Sequence, residues 1–354
     1  MTIELSKTIE VSFSRCKLLI KSNIMHTEDG PIAAFLWGPP GIGKSTIIKN
    51  IAKELGYEVI DIRLSQIEAT DLRGFPQIRD GKTYFCQPSF LPTENKKIII
   101  FFDELNQASR LVQAAALQLI LDRKLGDYVV PDSVIMVGAG NRHEDLCYVQ
   151  PLSVALRTRM IHFEVVPDLD EWIAWAKSAQ IDESIIGFIK FKPDLFCKIL
   201  DGSFGSPNPR TWHFASRLIK KHTDVDIIRE FVASAVGIAP AQEYVAFRQA
   251  YMSFNIEDIL DGKMPNVLTE KVDGREDKNS SVKFAMTLAM AYAVTKNKER
   301  SKEANLNTFL NYIGEEYVTL FFKNITVEKS RELMKNTILK GHKEKMVGYL
   351  YGEK

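Results

Sequence analysis

Gly38-Pro39-Pro40-Gly41-Ile42-Gly43-Lys44-Ser45 decides the fold of this chain, because it fits GxxxxGK[ST] at every fixed position. An apolar run, residues 32–37, leads into it, and a helical run, Lys44–Leu55, leads out. The motif's physics needs that setting. Glycines allow backbone conformations that aim successive N–H groups at one phosphate, and the helix N-terminus adds positive potential. Gly38, Pro39, Pro40, Gly41, Ile42, Gly43, Lys44, Ser45 and Thr46 are therefore the candidate nucleotide-binding residues. Lys44 is placed to reach the β- and γ-phosphates, and the Ser45 hydroxyl to ligate Mg²⁺. A glycine-rich turn before an ordinary helix is the bland alternative, and the strand–loop–helix setting argues against it.

Working outward, residues 97–104 read Lys-Ile-Ile-Ile-Phe-Phe-Asp-Glu, a hydrophobic strand that ends in two carboxylates. A buried strand delivers such groups to its C-terminal edge, where ligands sit in open α/β folds. Asp103 is expected to hold the Mg²⁺ shell and Glu104 to orient and polarise an attacking water. The competing reading is a simple helix N-cap. Residues 133–141 form another apolar run ending in Asn141, a side chain able to hydrogen-bond the attacking water or the γ-phosphate.

Apolar runs at 32–37, 58–62, 98–102, 134–138 and 160–165 alternate with helical stretches, which predicts a buried parallel sheet of the α/β class. Residues 1–22 read as an N-terminal helix carrying Ile3, Leu5, Ile9, Val11, Leu18 and Ile20. After Pro167 the pattern is helical, at 168–178, 185–191, 211–222, 226–236 and 242–251. Residues 261–281 are polar and rich in turn formers, and 282–295 and 306–322 are helical again. The expected organisation is an α/β nucleotide-binding core over 1–166, a helical lid over 167–260, and a linker with a helical C-terminal extension over 261–354. Asp80-Gly81 predicts a hairpin between 76–79 and 82–87, and residues 124–131 predict a second one.

Lys plus Arg number 46 and Asp plus Glu 45, so bulk charge gives no pointer to nucleic acid, although a local basic stripe remains compatible with it. Cys16, Cys86, Cys147 and Cys197 form no CxxC pair, which points to free thiols in a reducing, cytoplasmic setting. The longest apolar runs fall far short of the roughly 20 residues that span a bilayer, so no membrane partner is expected. His143 in the polar 141–145 segment reads as a solvated side chain, and no metal beyond Mg²⁺ is expected. Lys-rich pieces at 296–302 and 340–345 are interspersed with acids and read as solvated helix faces.

In this order and spacing the motifs resemble the AAA+ ATPases, and within them the MoxR-like group. Asp103-Glu104-Leu105-Asn106-Gln107-Ala108 followed by Val112-Gln113-Ala114-Ala115-Ala116-Leu117 is similar to that group's DEINRA…VQxALL pattern. Pro151-Leu152-Ser153-Val154-Ala155-Leu156-Arg157-Thr158-Arg159-Met160 resembles its LPEAxLDRF segment, and Ser206-Pro207-Asn208-Pro209-Arg210 resembles the SPR that starts a lid helix. The resemblance covers about residues 25–220. It implies a P-loop core with sheet order 5-1-4-3-2 followed by a helical lid, with ATP and Mg²⁺ as cofactors. It implies Arg159 as a finger reaching a neighbouring subunit's site, with Arg157 as its rival, and Arg210 as a second sensor. Met160 replaces the usual Phe and Gln107 the usual Arg, so no role of that Arg transfers. In the same group a substrate- or pore-facing insertion occupies the first hairpin's place, making Phe75, Tyr84 and Phe85 candidate contacts; packing on the core is the alternative.

The expected activity is Mg²⁺-dependent hydrolysis of ATP to ADP and phosphate by a ring homo-oligomer, a hexamer by resemblance. The expected work is chaperone-like remodelling, assembly or metal-loading of a protein client, with a von Willebrand A domain protein as the implied partner. A nucleic-acid motor or loader and a nucleotide-gated scaffold are the alternatives.

Overall fold

The protein is described by a computed structural model covering residues 8–27, 30–145, 149–252, 256–263, 280–296, 303–334 and 342. Ile3, Leu5, Cys147, most of the 261–281 linker and most of the 296–302 and 340–345 pieces lie outside the described residues. The chain opens with β1 (Ile9–Val11), α1 (Phe13–His26), β2 (Ala34–Trp37), α2 (Lys44–Leu55), β3 (Glu58–Arg63) and α3 (Ala69–Arg73). A hairpin of β4 (Phe75–Arg79) and β5 (Lys82–Cys86) precedes β6 (Ile98–Asp103) and α4 (Arg110–Asp122). A shorter hairpin, β7 (Lys124–Leu125) with β8 (Tyr128–Val129), leads to β9 (Val134–Gly140), α5 (Val154–Arg157) and β10 (Ile161–Val165).

Helices follow: α6 (Leu169–Ser178), α7 (Glu183–Phe191), α8 (Pro209–Ile219), α9 (Val225–Val236), α10 (Ile238–Met252) and α11 (Ile256–Leu260). The C-terminal region adds α12 (Ser280–Lys296), α13 (Glu303–Ile313), α14 (Glu315–Asn324) and α15 (Val327–Met334). The expected single helix over 306–322 is therefore two, parted at Gly314, whose φ of 94° suits a residue without a Cβ.

The main sheet has the order β1-β10-β2-β9-β6-β3, with every neighbouring pair parallel. Leaving β1 aside, this is the expected 5-1-4-3-2. The sixth strand corrects the reading of residues 1–22 as one helix. Ile9 and Val11 pair with Phe163 and Val165 at the sheet's edge. Ser12 then caps α1 by accepting from the Arg15 N–H, so the helix starts at Phe13. Short apolar spacing near a helix start suits either period, and the open edge of β10 decides for strand.

The chain divides into two compact units, Met1–Lys177 with Cys197–Thr211, and Ser178–Phe196 with Trp212–Lys354. In the first, alternate residues of the central strands enter opposite cores. Phe35, Ile98, Ile100, Phe102 and Met136 lie on one side of the sheet. Leu36, Ile99, Phe101, Ile135 and Val137 lie on the other. This two-sided burial is why these strands read as unbroken apolar runs. The second unit has an aromatic core in which Phe188 packs near Trp212, Tyr244 and Phe247, with ring centroids 5.5–5.7 Å apart. The Ser184 and Tyr244 hydroxyls share a 2.7 Å hydrogen bond there. No helix among the described residues is long and apolar enough to cross a membrane.

Phe101 is fully buried in the centre of the sheet. Phe101→Ala is expected to lower unfolding stability by about 3–5 kcal/mol, read as a fall in the urea midpoint, because the cavity cannot collapse between two covered faces.

Candidate nucleotide site

The loop after β2 turns on three glycines with positive φ: Gly38 at 146°, Gly41 at 82° and Gly43 at 101°. At Gly38 a Cβ would stand 2.6 Å from the Val165 carbonyl oxygen, so close approach to β10 excludes any other residue. At Gly41 a Cβ would stand 2.4 Å from Asn208 Oδ1. Gly43 begins α2 without a side-chain cap, leaving that helix's first N–H groups directed into the loop. Pro39 is buried and Pro40 exposed; Ile42 is buried, Ser45 half-buried and Thr46 exposed.

Lys44 Nζ donates to the Gly38 carbonyl (2.6 Å), the Pro39 carbonyl (2.9 Å) and Asn141 Oδ1 (2.9 Å). One ammonium thus ties the loop to the end of β9. Asn141 is itself buried, and its carbonyl accepts from Asn106 Nδ2 at 2.7 Å. The next residue, Arg142, donates its backbone N–H to Asp145 (2.7 Å) and its guanidinium to Asp145 (2.8 Å) and Glu164 on β10 (2.7 Å). Burial alone would disfavour the Arg142 charge. The hydrogen bonds from Asp145 and Glu164 outweigh it and hold the guanidinium pKa above its ordinary value. Asn141 is therefore fixed on both sides of its backbone.

Asp103 closes β6, and its Oδ1 accepts from the Glu104 N–H at 3.0 Å. Burial raises its carboxyl pKa most, and the nearby Asp61 and Glu104 carboxylates add to that; the Glu104 N–H and the Lys44 ammonium act in the opposite direction. Glu104 takes the left-handed conformation (φ 57°), uncommon for a residue with a Cβ, and its Oε2 accepts from the Ser65 hydroxyl. Glu104 stands at the N-cap position of a short 3-10 turn, Leu105–Gln107, without a capping hydrogen bond from its side chain, and α4 is capped by Ser109, which accepts from the Val112 N–H. The helix-cap reading of Asp103-Glu104 therefore holds for the backbone position of Glu104 and not for its side chain.

A divalent cation fits this chemistry, since it would offset Asp103 and its two carboxylate neighbours together. Among the described residues no three ligating side chains cluster as a self-sufficient metal site.

The structure brings the loop, Lys44, Ser45, Asp103, Glu104 and Asn141 to one edge of the sheet. The arginines are placed differently: the Arg210 backbone reaches the loop through Asn208, whose Oδ1 faces Gly41, while Arg157 and Arg159 hydrogen-bond only locally. Arg157, the last residue of α5, and Arg159, between α5 and β10, are exposed, with Arg159 donating to the Ala155 carbonyl at 3.1 Å. Arg210 is exposed at the start of α8, where Asn208 Oδ1 accepts its backbone N–H at 3.0 Å. Sequence reasoning missed Ser65, Asn106, Arg142 and Asn208 as supporting residues. Asn106 is the most constrained: a Cβ on Gly140 would stand 2.2 Å from its Oδ1, and that oxygen is buried without a hydrogen-bond partner among the described residues. Only a buried amide beside two acids hinted at this. Among the described cysteines, Cys16, Cys86 and Cys197 are free thiols. Burial pushes Cys197 up to about 11.

Residues 34–166 match the family described as "ATPase family associated with various cellular activities (AAA)". The replication factor C large subunit of Pyrobaculum calidifontis is 51% identical over 90 residues, covering 25% of this chain and 20% of that protein. The outer mitochondrial transmembrane helix translocase of Danio rerio is 30% identical over 152 residues, covering 40% and 39%. A solved structure of a Thermotoga maritima RuvB point mutant superposes with TM-score 0.40 at 16% identity, covering 81% of this chain and 88% of that one. The chain spans between 20% and 39% of the length of the curated relatives it matches.

A carboxyl with a raised folded pKa binds its proton more tightly in the folded state. Folding is therefore favoured at low pH and opposed as pH rises through that value. Asp103→Asn is accordingly expected to raise the melting temperature near pH 7 without divalent ion or nucleotide. The gain should shrink as pH falls through the Asp103 titration range and vanish below about 4, the ordinary Asp value. Thermal melts of both proteins across pH check this.

Proposed function

We propose that this chain, whose residues 34–166 are an AAA+ ATPase domain, works as a ring-forming motor that hydrolyses ATP at sites completed by a neighbouring subunit. The observation that carries the reading is the Lys44–Asn141 contact at the mouth of the loop, 2.9 Å, beside Asp103 and Glu104. Lys44 pairs with the phosphates, Asn141 senses the terminal one, and Glu104 orients the water after leaving Ser65. Ser45 and Asp103 would hold Mg²⁺, which would supply charge neutralisation on the nucleotide phosphates.

Charge balance supports the trans-acting part. Charge developing on the γ-phosphoryl group calls for a second cation. Arg142, the arginine nearest Asn141 in sequence, is engaged by Asp145 and Glu164. Arg159 is exposed and donates only to acceptors in its own turn of chain, so it is the residue to serve the neighbour's site, with Arg157 next in line. Arg210 acts as the second sensor from the start of α8, within the lid over residues 167–260.

The work done is remodelling of a protein client. Support comes from the β4–β5 hairpin, where Phe75 is 64%, Ile78 81%, Tyr84 44% and Phe85 44% exposed, an unusual density of apolar side chains in water. A second reading, action on nucleic acid, is favoured by the similarity to replication factor C large subunits.

ATP turnover against protein concentration, with light scattering for size, tests the motor. Wild-type activity per subunit should rise with assembly. Glu104→Gln should bind ATP without turning it over. Arg159→Ala should assemble yet lose on the order of 10³–10⁵-fold in turnover, the range of a missing arginine finger. Activity independent of concentration, or an unaffected Arg159→Ala, refutes the finger assignment and moves it to Arg157.

A further inference from the structure

Residues 202–223 contain no Asp or Glu, in a chain whose acids and bases otherwise balance. Within that stretch α8 is sharply two-sided. Trp212, Ala215, Ser216 and Ile219, at helical spacing, are buried in the second unit. The opposite side presents Phe214 (45% exposed), Arg217 and Leu218 (38% exposed), and the turn that follows adds exposed Lys220 and Lys221. His213 lies half-buried on the flank of the same cations.

The ordinary role for cations at this place is to complement the helix C-terminus, which carries about half a negative charge. Three side-chain cations, Arg217, Lys220 and Lys221, exceed that by more than about two charges. The acids that follow in the chain are engaged elsewhere: Asp224 caps α9 by accepting from the Asp226 and Ile227 N–H groups, and Asp226 pairs with Arg229. The local field is positive. Burial first, then the charges of Arg217 and Lys220, hold the His213 imidazole below its ordinary pKa.

We propose that the Phe214–Lys221 face of α8 binds the sugar-phosphate backbone of nucleic acid, with Arg217, Lys220 and Lys221 on phosphates and Phe214 on an unpaired base. Arg217 in the last turn of α8 and Lys220 and Lys221 in the turn that follows gather three exposed cations within five residues of chain, which suits successive phosphates along one strand. The exposed ring of Phe214, about one helical turn before Arg217, provides a stacking platform, worth having on a single strand and idle on a duplex. Binding at this face needs neither nucleotide nor turnover, so it stands apart from the ATPase reading.

Fluorescence anisotropy tests it on the full chain, with labelled oligodeoxythymidine and labelled duplex of about 30 nucleotides, between about 50 and 200 mM salt. The triple variant Arg217→Gln/Lys220→Gln/Lys221→Gln is expected to bind at least about tenfold more weakly at the lower salt. Its logarithmic salt slope should fall by about 2 on single strand and about 3 on duplex, because each phosphate neutralised contributes roughly 0.7 and 0.9 respectively. Phe214→Ala should weaken single-strand binding alone. Melting temperature and basal ATP turnover should match wild type in both variants. Nucleic-acid binding at this face is refuted if the wild-type chain binds neither probe, or if the triple variant binds as wild type does. It is equally refuted if polyglutamate of equal charge displaces the probes as well as unlabelled DNA.

Discussion

Burying β6 and β9 on both faces is the constraint on which the rest depends. Strands with Ile99, Phe101, Ile135 and Val137 on one side and Ile98, Ile100, Phe102 and Met136 on the other have no room for a charged group along their length. Polar chemistry is pushed to where the strands end. Asp103 and Glu104 leave β6, Asn141 leaves β9, and the glycine loop leaves β2, all at the carboxyl edge of one parallel sheet. The crossovers of a parallel sheet then return helices to its faces, so the same topology that buries the strands also delivers α2's N-terminus to the site.

That edge is held by a small number of demanding contacts. Gly38 presses on the Val165 carbonyl, Gly41 on Asn208, and Gly140 on Asn106, each at a distance no Cβ tolerates. Lys44 closes the loop against Asn141, while Asn106 and the Arg142–Asp145–Glu164 network hold Asn141 from behind. Preorganisation of this kind costs stability elsewhere: Asp103 carries a carboxylate in a desolvated position, and Glu104 holds a left-handed backbone. Groups that a folded chain would discard are retained where charge must later be met.

The outer parts of the molecule follow a different rule. The β4–β5 hairpin and the outer side of α8 expose apolar and cationic groups that contribute little to either core. A two-stranded hairpin is barely stable alone in water, and this one is anchored where Gly74 meets the Cys86 carbonyl and where Phe85 reaches Gly126. Its exposed rings are surface that the fold supports without using.

The amino-acid sequence by itself determined the glycine loop after β2, the acidic pair that ends β6, the strand that ends at Asn141 and both hairpins, because each rests on a local pattern of residue type and spacing. Through the resemblance it also led to the order of five of the sheet's six strands, which local periodicity leaves open. It misread residues 9–11, since three residues carry too little periodicity to separate strand from helix and only the open edge of β10 decides. It assigned no contacts to Ser65, Asn106, Arg142 and Asn208, although Asn106 and Asn208 lie in the quoted motifs. The first two meet partners more than thirty residues away, Arg142 reaches across to Glu164, and Asn208 presses on a glycine. Tertiary structure alone decided those, because a hydrogen bond between distant residues leaves no trace in the spacing of either one.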